Sequence, residues 1–381
     1  MKHYQPTEAQ RERVSRSKRI VVKIGSALLA KGGTAIFSQL AGQIAAWMPP
    51  EKECVIVSSG AIAFGIDVMG LKKRPTQVSL LQAAAAAGQP RLQQHWSKAF
   101  ARQNIHVAEV LLTHADLANR ERFLNARHAL AALIAHGVVP IINENDSVST
   151  DEIRVGDNDS LSAQVASLVN ADLLILLTTV DGLYTANPDK DPTATHIPLV
   201  THFGVIEDFA TSESGISGLG VGGMHTKVQA AKTCSKRGIA VVIADGRTPQ
   251  VLKKILAGKT VGTLFLPSIR VASRKHWIGF TLKPTGVLRV DAGATDALVR
   301  RGRSLLASGI THVEGKFDRG AMVEIVGPSG PIARGLAAYA AHELTQLMGK
   351  NSKDIARILG YVSIPEAVHR DDLTLLEYHH E

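Results

Sequence analysis

Short apolar runs alternate with helical patterns over the first two thirds of the sequence, and this alternation limits the folds open to the chain. Six runs are predicted strands: Ile20–Ile24, Cys54–Val57, Ile105–Leu112, Val138–Ile142, Leu173–Leu177 and Ile239–Ala244. The helical patterns between them are Phe37–Met48, Gln77–Gln103, Arg120–His136, Leu161–Val169 and Val228–Lys236. Strands separated by helices pair in parallel through right-handed crossovers. The sequence therefore predicts an α/β fold with an open, mainly parallel sheet sandwiched by helices.

The composition agrees with such a sheet, because only 4% of the residues are aromatic and 45% are hydrophobic. A core of Ala, Val, Ile and Leu is typical of a parallel sheet covered on both faces. The run Ala83–Ala87 has little side-chain volume and favours the close approach of another helix, either from this chain or from a second subunit. We expect the helix that contains it to be interrupted near Gly88-Gln89-Pro90.

Basic residues are concentrated at the amino terminus. Residues 1–20 carry six Lys or Arg against two Glu, whereas residues 270–381 carry 15 against 12. Such a tail is more often solvated and mobile than a nucleic-acid-binding arm. Cys54 and Cys234 lie in or beside apolar segments, which predicts buried free thiols in a reducing compartment. The sequence has no long apolar window and no apolar signal core, so we expect no membrane span and a cytoplasmic protein.

Polar residues follow several predicted strands at the points where these end. Lys23 is near the end of the first strand, Ser58-Ser59-Gly60 follow the second, and Asn143–Asp146 follow the fourth. Val155–Ser160 opens the next helical pattern. Helix starts at the carboxyl ends of strands favour anions, so this edge suits a charged substrate and a phosphate. The alternatives are helix-capping turns, and a Lys23 that reaches solvent.

A glycine-rich stretch, Ser217–Gly223, precedes Thr226 and Lys227 at the start of a helical pattern. Open backbone amides followed by a lysine favour phosphate binding. The residue order of a Walker loop is absent. A mobile glycine-rich hairpin is the structural alternative.

From about residue 277 short β-like stretches alternate with glycine turns, which predicts a small β-rich module. The predicted division of the chain is a basic extension (1–18), an α/β catalytic domain (19–269), a linker (270–276), the β-rich domain (277–370) and a tail (371–381).

Several distinctive blocks occur in a fixed order. They are Glu121–Arg127, Asn143–Asp146, Val155–Asp159 and Ser217–Gly220, followed by Ser304–Leu306, Gly309-Ile310, Gly315–Phe317 and Arg319-Gly320. With these blocks the chain resembles the glutamate 5-kinase family of the amino acid kinase superfamily, whose members carry a carboxy-terminal PUA domain. The resemblance implies phosphorylation of the L-glutamate γ-carboxylate by ATP to L-glutamyl 5-phosphate, the first step of proline biosynthesis. It also implies Mg²⁺ bound mainly through the ATP phosphates, with few protein ligands.

The resemblance implies site residues as well. Lys23, Lys227 and Asp159 would be catalytic, with Asp159 holding the two lysines. The glutamate residues would be Ser59, Asp146 and Asn158, and the nucleotide residues would be Lys23, Thr178, Thr179, Val221, Gly222, Gly223, Met224, His225, Thr226 and Lys227. The γ-carboxylate is ionised near neutral pH, so no general base is needed.

Two positions depart from the family pattern. Thr179 stands where the family usually has Asp, and His225 stands where a small hydroxyl residue is common. Asp181, two residues further along, is a candidate source of the missing carboxylate.

The resemblance further implies feedback inhibition by proline, with the Asp116–Asn125 loop as its expected seat, and a homo-oligomer, either dimer or tetramer. PUA domains elsewhere contact RNA, and Arg300, Arg301 and Arg303 form a basic cluster, but the small net charge of this region argues against strong RNA binding. Two other readings remain open: a kinase of the same fold acting on another small carboxylate, and an RNA-binding protein with a kinase-like scaffold.

Overall fold

The computed structural model describes residues 6–48, 51–149, 158–188, 190–203, 223–267 and 284–376. The chain divides into two compact units, residues 1–270 and 271–381. The sequence blocks 155–157 and 217–222 and the predicted linker 270–276 lie outside the described residues.

One large sheet forms the centre of the first unit. Its strands are β1 (Arg19–Ile24), β2 (Glu53–Ser58), β3 (Val107–Leu112), β4 (Val139–Glu144), β5 (Leu173–Thr178), β8 (Leu199–Val200), β9 (Ala240–Asp245) and β10 (Thr263–Phe265). Their order is β3-β4-β2-β1-β5-β9-β10-β8, and the first six are parallel while β10 is antiparallel to β9. A separate antiparallel pair joins β6 (Leu183–Tyr184) to β7 (His196–Ile197). The predicted mainly parallel sheet is confirmed.

Helices cover both faces of this sheet. Those described are α1 (Glu8–Ser15), α2 (Ser26–Gly32), α3 (Ala35–Trp47), α4 (Ala61–Val68), α5 (Val78–Ala101), α6 (His114–Ala118), α7 (Arg120–Ala135), α8 (Asn158–Leu168), α9 (Met224–Ser235) and α10 (Val251–Leu256). Ile20 and Val22 of β1 pack into one core with residues of α3 and α5, whereas Val21 packs into the other with residues of α8 and α9. Successive strand residues point to opposite faces, so both are apolar here.

Helix α5 is continuous through Pro90, so the predicted interruption at residues 88–90 is wrong. The alanine-rich part of α5 packs against α4 of the same chain. A Cβ at Gly65 would lie 1.6 Å from the carbonyl oxygen of Ala84, and one at Gly88 would lie 1.9 Å from that of Ala61. Only glycine permits this approach, and it brings the Gln89 region of α5 next to the start of α4.

The basic amino-terminal segment is not a mobile tail in its described part, which corrects the expectation from the sequence. Thr7 caps α1 in a reciprocal arrangement with Gln10. Val14 is buried in the core of the first unit, and Arg11 Nη1 donates to Thr260 Oγ1 at 3.1 Å. The segment is therefore docked on the domain that follows it.

The second unit contains a five-stranded sheet in the order β13-β11-β14-β15-β17. Its strands are β11 (Gly286–Val290), β13 (Ile310–Gly315), β14 (Met322–Gly327), β15 (Gly330–Leu336) and β17 (Leu373–Leu375), and β12 (Leu305–Leu306) pairs separately with β16 (Glu366–Val368). The helices described are α11 (Ala292–Val299), α12 (Ala341–Leu347) and α13 (Ile355–Leu359). The predicted β-rich module is confirmed, and it has its own apolar core around Leu288, Ile325 and Tyr339.

Candidate active site

Those functional residues expected from the sequence that the structure describes lie at the carboxyl edge of the first sheet. Helix α2 begins two residues after β1, and α4 begins after Ser59-Gly60 at the end of β2. Gly60 adopts φ +113°, a conformation that favours glycine and turns the chain from strand to helix. The first turns of α8 and α9 meet at the same edge, where Asp159 contacts Lys227. Helix amino termini stabilise negative charge, so this edge favours the binding of an anion.

Lys23, Asp159 and Lys227 form a buried group, here called the lysine–aspartate cluster. Lys23 Nζ donates to Asp159 Oδ1 at 2.7 Å, and Lys227 Nζ donates to Asp159 Oδ2 at 3.0 Å. Thr226 Oγ1 also donates to Asp159 Oδ2, at 2.7 Å, which ties the start of α9 to the start of α8. Asp159 is 0% exposed, and the two lysines are 5% and 6% exposed.

The charges of the cluster are unequal. Burial alone raises the pKa of Asp159, but the charges of Lys23 and Lys227 and the hydrogen bonds from Lys23 and Thr226 outweigh it and lower the pKa to about 2. Asp159 is therefore ionised at neutral pH and balances one of the two lysine charges. Two ammonium groups around one carboxylate give these three side chains a positive character, which suits an anionic ligand.

Two of the residues expected to bind glutamate, Ser59 and Asn158, lie beside the cluster. Asn158 and Asp159 are consecutive in the first turn of α8, and Asn158 Nδ2 donates to Ser59 Oγ at 2.7 Å. Both Asn158 and Ser59 are buried. Asp146 is also buried, in the turn that follows β4. The structure thus brings Ser59 and Asn158 into direct contact across 99 residues of sequence.

Sequence reasoning missed three side chains that continue this contact. Asn158 Nδ2 also donates to Asn143 Oδ1 at 3.0 Å, and Asn143 Nδ2 donates to Gln89 Oε1 at 2.9 Å. Gln89 Nε2 in turn donates to Glu109 Oε1 at 2.7 Å. Asn143 stands in a block that the sequence analysis singled out, whereas Gln89 and Glu109 stand in an ordinary helix and strand, so no local signal marked them.

The residues expected to bind nucleotide are only partly described. Thr178 ends β5 and lies opposite Asp245 of β9 in the parallel register. Thr179 accepts a hydrogen bond through its carbonyl oxygen from Arg247 Nη2 at 2.8 Å, and Arg247 is also paired with Asp245. Gly223 caps α9, which begins with Met224, His225, Thr226 and Lys227, and among these His225 is exposed. Val221 and Gly222 lie outside the described residues.

The carboxylate beside Thr178 comes from a position that the sequence analysis did not consider. Asp181 accepts from the hydroxyl group of Tyr184 at 2.9 Å and is exposed. Asp245, by contrast, lies directly across from Thr178 and is linked to Thr179 through Arg247. Asp245, on the strand next to β5, is therefore the carboxylate that Arg247 connects to Thr179.

The segment Asp116–Asn125 is not a loop, which corrects the expectation from the sequence. It contains the end of α6 and the first turns of α7, and Asn119 caps α7 by accepting from the backbone N–H of Arg122. Arg122 Nη1 pairs with Asp116 at 3.0 Å across the joint.

An open cleft of about 620 Å³ lies in the second unit. Its charged and imidazole side chains are Asp291, Arg303, Glu366, His369 and Arg370.

Comparison with known proteins decides the family. The amino acid kinase family matches residues 18–245, and the PUA domain matches residues 286–359. A glutamate 5-kinase from a Geobacter species (strain M21) is 47% identical over 375 residues, which cover 96% of this chain and 100% of that protein. The chain belongs to the glutamate 5-kinase family.

Other members of the glutamate 5-kinase family are similarly close. That of Geobacter sulfurreducens is 48% identical and that of Burkholderia multivorans 47% identical, each over 369 residues that cover 95% of this chain and 99% of the relative. Among solved structures, UMP kinase from Bacillus anthracis covers 66% of this chain and 97% of its own, with a TM-score of 0.45 and 16% identity. None of the described helices combines the length and apolar character needed to span a bilayer.

Proposed function

We propose that the chain transfers the γ-phosphoryl group of ATP to the γ-carboxylate of L-glutamate. A carboxylate oxygen of glutamate would attack the γ-phosphorus, and the bond from that phosphorus to the β–γ bridging oxygen would break, releasing ADP and L-glutamyl 5-phosphate. The observation that supports this reaction best is the lysine–aspartate cluster directly beside the Ser59–Asn158 contact. Phosphoryl transfer requires mainly positioning and charge stabilisation.

The geometry suggests a role for each part of the site. Lys23 and Lys227 would approach the transferred phosphoryl group from two elements, β1 and α9, and stabilise the charge on its equatorial oxygens. Asp159 would keep both ammonium groups in position, because each of its oxygens accepts from one lysine. Asn158, Ser59 and Asp146 would hold glutamate so that its γ-carboxylate faces the cluster.

Magnesium fits this site as an ion carried by the nucleotide. Both oxygens of Asp159 are already bonded to lysines, and no cluster of three or more His, Cys, Asp and Glu side chains suited to a metal occurs in the described part of the chain. The ligands of Mg²⁺ would be phosphate oxygens and water, as is usual for this ion. When bound, it would neutralise part of the phosphate charge.

The proposal also includes a homo-oligomer and inhibition by proline. Four large apolar residues at the end of α4 and the start of α5 are exposed: Val68, Met69, Val78 and Leu80. Exposed apolar groups of this kind support a subunit contact, which light scattering would test. Proline inhibition rests on the family alone, and adding proline to the kinase assay would test it.

Trapping the acyl phosphate with hydroxylamine tests the reaction directly. Purified protein would be incubated with ATP and Mg²⁺ and with glutamate, aspartate or N-acetylglutamate in parallel. We expect hydroxamate with glutamate alone. Product with another acceptor would favour a different small-carboxylate kinase of the same fold, and no product with any acceptor would contradict the proposal.

A further inference from the structure

Three side-chain amides connect the surface of the first unit to the glutamate side of the site. Gln89, Asn143 and Asn158 form a continuous hydrogen-bonded chain, here called the amide relay. The relay begins at the exposed Glu109 and ends at the buried Ser59. All three amide residues are less than 10% exposed, so each amide orientation depends on its protein partners.

Glu109 determines the direction of the relay. An ionised carboxylate can only accept hydrogen bonds, so the NH₂ group of Gln89 must face it. The oxygen of Gln89 then faces Asn143, which must present its own NH₂ group to that oxygen. Each amide has one oxygen and one NH₂ group, so the orientation of the first fixes the orientation of the next.

Asn158 connects the oriented amides to Ser59, on the side of the site proposed to bind glutamate. Because the oxygen of Asn143 accepts from Asn158 Nδ2, the same NH₂ group is turned toward Ser59, to which it also donates. The Ser59 hydroxyl oxygen thus serves as an acceptor, and its proton remains available for an acceptor outside this contact. An anionic carboxylate is such an acceptor. If the relay were inverted, Asn158 would present its oxygen to Asn143, and the donation to Ser59 would be lost.

We infer that Glu109 and Gln89 are positioning residues for glutamate, which set the donor and acceptor pattern of Asn158 and Ser59 through Asn143. This inference rests on the proposed function. The close packing at Gly65 and Gly88 provides its structural basis, because it holds the Gln89 segment of α5 against α4, which begins beside Ser59. Neither Glu109 nor Gln89 belongs to the lysine–aspartate cluster, so their contribution should concern glutamate rather than ATP.

The test compares steady-state constants of the full-length parent with those of three variants. Gln89→Met keeps the size of the side chain and removes its hydrogen bonds, and Glu109→Gln keeps the shape but adds a donor that allows both relay orientations. Gln94→Met is the matched control, because it makes the same exchange at an exposed position of α5. Thermal unfolding verifies that each variant is folded.

We expect Gln89→Met to raise the KM for glutamate about tenfold, which corresponds to about 1.4 kcal/mol, with kcat and the KM for ATP within about twofold. Glu109→Gln should raise the glutamate KM about threefold, since part of the population keeps the native orientation. Gln94→Met should match the parent. Unchanged glutamate KM values in both relay variants of an active parent would overturn the relay alone, as would an equal rise in the KM for ATP. A parent that forms no hydroxamate with glutamate would overturn the proposed function as well.

Discussion

The lysine–aspartate cluster of the first unit and the cleft of the second unit both contain charged side chains, but they use them differently. In the cluster, three charged groups are almost wholly buried and carry two positive charges against one negative. In the cleft, two arginines lie with one aspartate and one glutamate, so the formal charges balance. Arg303 and Arg370 are exposed.

The environment of each charge explains this difference. Asp291 of the cleft caps α11 by accepting from the backbone N–H of Ala294 at 2.7 Å, and the nearby Arg301 pairs with Asp296 at 2.8 Å. Exposed pairs of this kind are screened by solvent and contribute little. A buried cluster of two ammonium groups and one carboxylate interacts strongly with an anion, because water screens buried charges much less. We therefore expect substitutions in the cluster to affect phosphoryl transfer more than substitutions in the cleft.

The largest effect is expected from Lys227→Ala. Loss of one ammonium group beside the phosphoryl position should lower kcat by about 10²- to 10³-fold, while the KM for glutamate changes little. Steady-state kinetics would measure both constants, and Lys236→Ala, at the exposed carboxyl end of the same helix, is the matched control. A variant that mainly raises the glutamate KM would show that Lys227 belongs to the glutamate side.

Asp159→Asn should affect both turnover and stability. Two buried ammonium groups would face each other without their shared counterion, a change that costs about 3–5 kcal/mol. We expect a lower kcat and a lower unfolding temperature, with inorganic phosphate raising the unfolding temperature of the variant more than that of the parent. Equal stability of parent and variant would mean that the cluster charges are not buried in solution.

Acid should remove the stabilisation that the ionised Asp159 gives to the folded state. The pKa of Asp159 is lowered from 3.8 to about 2, so the folded state favours the ionised form. Its stabilisation is fully present above the unfolded pKa and is lost as the pH falls toward about 2, amounting to about 2.5 kcal/mol. Urea unfolding between about pH 5 and pH 2 would measure the free energy of unfolding of both proteins. We expect the parent to lose more stability over this range than Asp159→Asn. Parallel curves for the two proteins would exclude this assignment.

The smallest effect is expected in the cleft. Arg303→Ala combined with Arg370→Ala should leave kcat and both KM values within about twofold, and stability within about 0.5 kcal/mol. Loss of kinase activity in this double variant would contradict the proposed difference between the cluster and the cleft. It would also need revision if the parent bound RNA in a salt-sensitive way and the variant did not, because the cleft would then have a function of its own.

The sequence by itself determined the local elements and the type of chemistry. Apolar runs with intervening helical patterns were sufficient for the parallel sheet, because strands buried on both faces must be apolar throughout. Lys23 in an apolar strand was recognisable since buried lysine requires a partner. The block around Asn158 and Asp159 and the family resemblance indicated a kinase of small carboxylates.

Only the tertiary structure decided how these groups meet. Asp159 lies 136 residues from Lys23 and 68 from Lys227, and no local propensity specifies such contacts. Helix α5 continues through Pro90, contrary to the local signal, in a helix that is packed closely against α4. Gln89 and Glu109 carry no motif, and their link to Ser59 exists because strands β3 and β4, helices α5 and α8 and the turn after β2 come together. Which side chain donates and which accepts depends on the side chains that meet in the folded protein. Hydrophobic periodicities of 2.0 or 3.6 residues do not encode these meetings.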